Sequence, residues 1–246
     1  MIDQAFILCA GFGRRLQPHT LTTPKPLTPV AGQSLLSRTC EHLNNFGVKK
    51  AVLNTHYLAD QIQAAAPHLQ INDIAISHEE ELMDTGGGIS KALANFSGEP
   101  FFVLSGDGLW ENAPHQNTLA QMSDAWDPSI MDILILLQPK ESMRLTKGVG
   151  DYHMADNGKL TRAHDQNGTH MFTSMRINHP RIFGNAPQNE AFSYLQLLDQ
   201  AEKEGRLYGI EHAGDWHHIS TPEDLARVEQ HYSGHITAEK AHIING

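Results

Sequence analysis

The sequence predicts an α/β fold: a mostly parallel sheet flanked by helices, with a smaller β-rich part toward the C-terminal end. Three observations predict it. Strand-length apolar runs alternate with amphipathic helical segments across roughly the first 140 residues, the pattern of right-handed βαβ units. The first of those runs, residues 5–9, ends in a turn carrying Gly11 and Gly13, and the carboxyl end of a strand is where open α/β sheets bind ligands. From Gly148 the text changes to short strand-like runs separated by turn residues such as Asp156-Asn157-Gly158, which predicts local β structure.

Residues 5–9 are apolar and bounded by glycine, as suits a strand buried on both faces. Residues 8–30 read LCAGFGRRLQPHTLTTPKPLTPV. Gly11 and Gly13 let the backbone turn sharply or approach a ligand, and their N–H groups can form an anion-binding concavity. Arg15 and Lys25 add cations. Pro18, Pro24, Pro26 and Pro29 restrict the chain and disfavour helix before them, so the segment is expected to be a stiff, extended loop holding Lys25 near the glycines. It lacks the spacing of a P-loop, and no third glycine completes a dinucleotide-binding pattern.

Ser34 caps a helix over residues 35–46, which Gly47 stops. Strands are expected over 48–54 and 71–77, around a helix over 58–66. In residues 78–93, HEEELMDTGGGISKAL, a triple glycine opens a helix whose backbone can pack against a flat ligand; Asp84 or Thr85 could simply cap it. Residues 101–104 form a buried strand ending in Ser105-Gly106-Asp107. At that place Asp107 could hold Mg²⁺, a hard cation, or accept hydrogen bonds in a turn. A helix over 117–126 and a strand over 131–137 follow, then strand-like runs at 148–154, 159–163 and 170–178. A helix over 191–204, a strand over 207–211 and a helix capped by Thr221 with Pro222 at its first position complete the reading. Residues 233–246 read as a tail.

At 246 residues, with no Ser/Gly linker, the chain is expected to form one domain. A net charge of −10 argues against nucleic-acid and acidic-membrane binding, so an anionic ligand must be held by local cations. No apolar run approaches membrane-spanning length, and residues 1–11 lack the basic flank of a secretory signal; a cytoplasmic location is the default expectation. Two cysteines, Cys9 and Cys40, cannot build a disulfide framework, and the 16 histidines are scattered without zinc-ligand spacing. No obligate protein partner is evident.

Residues 11–30 match G-x-G-x-R-L-x-P-x-T-x-x-x-P-K-x-L-x-P-V at Gly11, Gly13, Arg15, Leu16, Pro18, Thr20, Pro24, Lys25, Leu27, Pro29 and Val30. The run resembles the signature of sugar-1-phosphate nucleotidyltransferases. The segment DTGGGISKAL looks closest to bacterial N-acetylmuramate 1-phosphate uridylyltransferases and related enzymes, and the resemblance covers residues 5–230. It implies a Rossmann-like sheet of the nucleotide-diphospho-sugar transferase type within residues 1–232, mainly nucleotide-binding over 1–140 and mainly sugar-binding over 141–232. It implies transfer of a nucleoside monophosphate from a nucleoside triphosphate, UTP by this likeness, to a sugar 1-phosphate, with pyrophosphate released and a place in peptidoglycan recycling.

The implied catalytic groups are Arg15, Lys25 and Asp107. Nucleotide contacts fall on Ala10, Gly11, Gly13, Arg14, Arg15, Lys25, Thr85, Gly86 and Gly87. Sugar contacts fall on Asp151, Arg162 and Ser174, although Asp151 and Arg162 could equally be exposed strand residues. The implied cofactor is Mg²⁺ on Asp107 and on His218, which stands where the family's closing W-x-D-V-G-T-P element has an aspartate. Ser220 there replaces glycine, Ser105 stands where relatives often have Asn, and Met175 interrupts a strand that commonly carries glycine. These departures keep open a non-catalytic nucleotide-sugar-binding module; a mannose-1-phosphate guanylyltransferase stays open because the phosphate machinery is common and only pocket details choose base and sugar, and a cytidylyltransferase acting on a non-sugar phosphate is a further alternative.

Overall fold

A computed structural model describes residues 1–244, with side chains through residue 234. β1 (Gln4–Leu8) leads into three single 3-10 turns, Arg14–Leu16, His19–Leu21 and Lys25–Leu27, and a small hairpin of β2 (Pro29–Val30) and β3 (Gln33–Ser34). Then come α1 (Leu35–Phe46), β4 (Lys50–Thr55), α2 (Ala59–Ala65), β5 (Asp73–His78) and α3 (Asp84–Ala92). β6 (Phe101–Ser105), β7 (Leu109–Glu111), α4 (Thr118–Ala125) and β8 (Ile133–Pro139) follow. β9 (Tyr152–Met154), β10 (Leu160–Arg162) and β11 (His170–Asn178) precede α5 (Leu195–Lys203), β12 (Leu207–Glu211), β13 (Asp215–His217) and α6 (Pro222–Ile244).

Nine strands form one sheet. Its centre is β5-β4-β1-β6, all parallel, with Ala5 opposite both Ala51 and Phe102. β11 then joins antiparallel to β6 and to β8, and β12 lies parallel to β8. Because the chain leaves β1 for β4 on one side and returns to β6 on the other, a crevice opens where β1 and β6 end. Period-2 alternation sorts the side chains. Ile7, Leu53 and Leu104 pack with Leu36 and Leu43 of α1 and Met122 of α4, whereas Phe6, Val52 and Val103 pack with Ile89 of α3 and Leu198 of α5. Each of these fully buried side chains stabilises the fold by roughly 1.5–3 kcal/mol.

α1 begins and ends as its sequence directs: the Ser34 hydroxyl accepts from the Ser37 N–H at 3.2 Å, and Gly47 takes φ 108°. Three expectations are corrected, and one pairing goes unannounced. Residues 11–30 are wound into turns rather than extended, because their backbone N–H groups need partners near the core; Leu16 N–H donates to Gly13 O at 2.9 Å and Leu27 N–H to Pro24 O at 2.8 Å. The segment is still held firmly, since Leu16 is buried among Val30, Leu35, Ile219 and Val228. The helix expected from residue 191 starts at Leu195, and the residues before it turn back to bond α3. Residues 233–244, read as a tail, continue α6, while residues 245–246 lie outside the described residues. β7 pairs with β13, Leu109 opposite His217, a contact between segments 100 residues apart that no local pattern announces. Among the described residues no helix is long and apolar enough to cross a membrane.

Candidate active site at the ends of β1 and β6

A cavity of about 560 Å³ opens over the ends of β1 and β6, lined by Ala10, Gly11, Gly13, Arg14, Arg15, Lys25, Asn54, Thr85, Ser105, Asp107, Ser174, Arg176, Tyr194 and Ser220 among others. That size suits a nucleotide or small ligand. Gly13 needs to be glycine for the protein's own sake: its φ is 61°, and a Cβ there would meet Thr20 Cγ2 at 2.9 Å. Gly11 does not. Its backbone is ordinary and an added Cβ would meet nothing within 4 Å, so the missing side chain keeps open space above the β1 end.

Gly106 draws the two strand ends together, its N–H donating to Leu8 O at 2.9 Å. A Cβ at 106 would stand 2.8 Å from Cys9 Sγ and 2.9 Å from Leu8 O. This close approach, with the turn at Lys25–Leu27, brings Lys25 Nζ onto Asp107 Oδ2 as an ion pair whose side chains are 15% and 26% exposed. The Ser105 hydroxyl donates to Asp107 Oδ1. Burial pushes the Asp107 carboxyl up, but the Lys25 charge and the hydrogen bonds from Lys25 and Ser105 outweigh it and hold the group below its ordinary value. Arg14 and Arg15 are exposed, and among the described residues no carboxylate pairs with either. Cys9 is a closed thiol: burial, then Cys40 and Asp107, push it well up.

Beneath this crest a buried polar chain fixes the neighbouring strands. Asn54 Oδ1 accepts from the Cys9 N–H at 2.7 Å, Asn54 Nδ2 donates to Glu79 Oε1 at 2.7 Å, and Glu79 Oε2 accepts from the Met83 N–H at 2.9 Å. The run ties β1, β4 and the start of α3 into one rigid unit.

The expected residues divide. Ala10, Gly11, Gly13, Arg14, Arg15, Lys25, Thr85, Asp107 and Ser174 all line the cavity. Gly86 and Gly87 do not: both N–H groups donate to Phe192 O, at 3.0 and 3.2 Å. An added Cβ at Gly86 would sit 2.3 Å from Phe192 Cε2, and one at Gly87 would sit 2.5 Å from Glu190 O. These glycines admit the chain before α5. Gly86→Ala is therefore expected to lower stability by about 1–3 kcal/mol through overpacking, read as a fall in the denaturation midpoint; an unchanged midpoint would refute the packing role.

Arg162 pairs with Asp199 of α5 at 3.0 Å, its backbone N–H donating to Glu202 of the same helix at 3.2 Å, and Asp151 accepts from the Phe172 N–H at 2.8 Å; neither Arg162 nor Asp151 lines the cavity. Burial raises the Asp151 carboxyl, against that hydrogen bond. Met175 turns from the cavity into the core, 2% exposed, while Ser174 takes φ 65° at a bulge in β11. His218 stands behind Ser220, its Nε2 against the Ser220 hydroxyl and its N–H donating to Thr146 Oγ1 at 2.9 Å. Burial, then Lys25 and Arg15, lower its proton affinity, which keeps the imidazole neutral. Asn54, Arg176 and Tyr194 line the cavity without any motif to mark them; the one sequence signal is an arginine set between Met175 and Ile177 in a strand.

Residues 5–212 match the family model of the MobA-like NTP transferase domain. N-acetylmuramate alpha-1-phosphate uridylyltransferase of Caulobacter vibrioides is 32% identical over 92% of this chain and 95% of its own length. The enzyme of that name from Neisseria meningitidis serogroup B is 28% identical, over 89% and 93%. Mannose-1-phosphate guanylyltransferase catalytic subunit beta of Danio rerio is also 28% identical, over 90% of this chain and 62% of its own. Among solved structures, HddC from Yersinia pseudotuberculosis superposes with a TM-score of 0.75 at 22% identity, covering 94% of this chain and 100% of that one. With a glycine-turn crest, unpaired arginines and a lysine–aspartate pair over one cavity, and with that match, the chain belongs to the MobA-like NTP transferase family, among the sugar-1-phosphate nucleotidyltransferases.

Proposed function

We propose that this chain transfers uridylate from UTP to N-acetylmuramic acid 1-phosphate, releasing pyrophosphate. The observation that supports this most is the convergence of Gly11, Arg14, Arg15, Lys25 and Asp107 on one cavity; the similarity to the uridylyltransferases supports the choice of base and sugar. Nucleotidyl transfer forms a bond from a sugar-phosphate oxygen to the α-phosphorus and breaks the bond from that phosphorus to the pyrophosphate oxygen. Such a step needs alignment and charge neutralisation rather than a protein nucleophile.

Here the open backbone at Gly11 receives the triphosphate without a side chain in its path. Arg15, exposed and unpaired, grips the departing β- and γ-phosphates through its fork, with Arg14 beside it. Lys25 neutralises the α-phosphate as a point charge, leaving Asp107 as it does so. Thr85 borders the base. Ser174, in the left-handed backbone region on the cavity wall, contacts the sugar.

Asp107 suits Mg²⁺: it is an ionised carboxylate at the crest, and Mg²⁺ is commonly held by one or two carboxylates plus substrate phosphates. When bound, the ion supplies charge neutralisation across the two phosphate groups. His218 does not suit it, because its neutral Nε2 is already engaged by Ser220 and imidazole is a poorer Mg²⁺ ligand than carboxylate. Among the described residues no three His, Cys, Asp or Glu side chains converge, so substrate phosphate oxygens and water would complete the coordination.

Pyrophosphate release, measured with Mg²⁺ across five nucleoside triphosphates and a panel of sugar 1-phosphates, tests the reading. UTP with N-acetylmuramic acid 1-phosphate is expected to be fastest. GTP with mannose 1-phosphate as the fastest pair would favour a guanylyltransferase, and nucleotide-sugar binding with no release from any pair would favour a regulatory module.

A further inference from the structure

Arg176 is the charged cavity residue that the transfer step leaves without a task. It follows the β11 bulge, opposite Val103 of β6, and enters the apolar layer between the sheet and α5 while Met175 and Ile177 enter the opposite layer. Its residue is 2% exposed. The guanidinium lies 3.8 Å from the Tyr194 ring centroid and 5.8 Å from that of Phe172. Nη1 donates to Ser174 O at a long 3.4 Å, and Nε and Nη2 have no hydrogen-bond partner. Other cations are matched: Arg181 and Arg206 share the buried Asp132, and Lys25 has Asp107.

A buried guanidinium without a counter-ion is strongly unfavourable. The Tyr194 phenol offsets part of that cost but brings no negative charge, and the cavity that Arg176 lines is where a ligand's counter-charge can reach it. The two unpartnered nitrogens, Nε and Nη2, form one edge of the guanidinium, the edge that grips an oxyanion with two parallel bonds; both are closed off from solvent here, so the side chain must turn toward the cavity it lines for a ligand to reach them. Its position decides which oxyanion. Val103, opposite Arg176, precedes Ser105 by two residues along β6, about 7 Å of strand rise below the crest where Lys25 and Asp107 await the phosphates. A different substituent of the same sugar is the better fit to that depth.

We infer that Arg176, backed by Tyr194, selects a carboxylate carried on the sugar ring, the lactyl ether carboxylate of N-acetylmuramic acid. This rests on the nucleotidyl-transfer reading above. N-acetylglucosamine 1-phosphate lacks only that ether and is the natural control.

The wild-type enzyme is expected to favour the carboxylated sugar over the control by at least about 30-fold in kcat/KM, since a site built around a buried charge rejects a ligand that leaves it unpaired. Arg176→Met is expected to erase most of that ratio by losing the carboxylated substrate, with less than about 3-fold change on the control and in KM for UTP. Its melting temperature is expected to match or exceed that of the wild type, because a buried unpaired charge has been removed. A lower melting temperature would instead mark Arg176 as a structural group and overturn the inference. Equal loss on both sugars, which would mark a contact to the 1-phosphate, also overturns it. So does a wild-type enzyme indifferent to the carboxylate, a result that leaves nucleotidyl transfer standing; no release with any pair overturns both. Should Arg176→Met fail to fold, calorimetric binding of N-acetylmuramic acid against N-acetylglucosamine to the wild type decides it, equal affinity being the overturning result.

Discussion

Lys25→Ala is expected to lower kcat/KM for pyrophosphate release at least about 100-fold, the scale for removing one preorganised charge stabiliser. Two effects act together. The positive charge facing the α-phosphate is gone, and Asp107 loses the cation that holds its carboxyl down against burial. With burial then opposed chiefly by the Ser105 hydrogen bond, the Asp107 carboxyl rises, so the acid limb of the pH–rate profile moves to higher pH. The stability effect has a definite sign. A carboxylate with a depressed folded-state value adds stability that is present above its unfolded value of about 3.9 and is lost as pH falls through the folded one. The gap between wild type and Lys25→Ala, about 1–3 kcal/mol at pH 7 for a partly exposed pair, is therefore expected to shrink toward pH 3. Denaturant midpoints at both pH values read it. A folded variant with wild-type kcat/KM would end the assignment of Lys25 to the reaction.

What the chain reveals before folding is what acts locally. Alternating apolar runs, the Ser34 cap, the Gly47 stop and the residue 11–30 pattern lead to the right sheet and the right crest because each acts over a few residues. What escapes depends on distant partners. Glycines at 86 and 87 look alike whether a base or Phe192 fills the space, and only the loop 106 residues later shows which. Arg162 carries a charge that a strand pattern sends outward, and its true partner, Asp199, lies on another element. Arg176 keeps the period-2 alternation of β11, on the face of Phe172 and Ser174 and opposite Met171, Met175 and Ile177; what no local pattern shows is that this face borders the cavity. The β7–β13 pairing, three residues on each strand, is too short for any periodicity to signal.

Asp107→Asn is expected to produce the other large effect, again at least about 100-fold in kcat/KM, but through a different quantity. The amide keeps the shape, and its oxygen can still accept from Ser105; what it loses is the negative charge that a hard divalent cation requires. The Mg²⁺ concentration for half-maximal rate should therefore rise at least about tenfold in Asp107→Asn, one coordination bond's scale of affinity, and stay near its wild-type value in Lys25→Ala. Stability separates the pair further. Each single substitution leaves its former partner alone in a poorly solvated place, so the double variant should lose less than the sum of the two singles. If Asp107→Asn instead retained both the wild-type rate and the wild-type Mg²⁺ midpoint, its carboxylate would be only a turn acceptor that parks Lys25, and the ion would have to be held by phosphate oxygens alone.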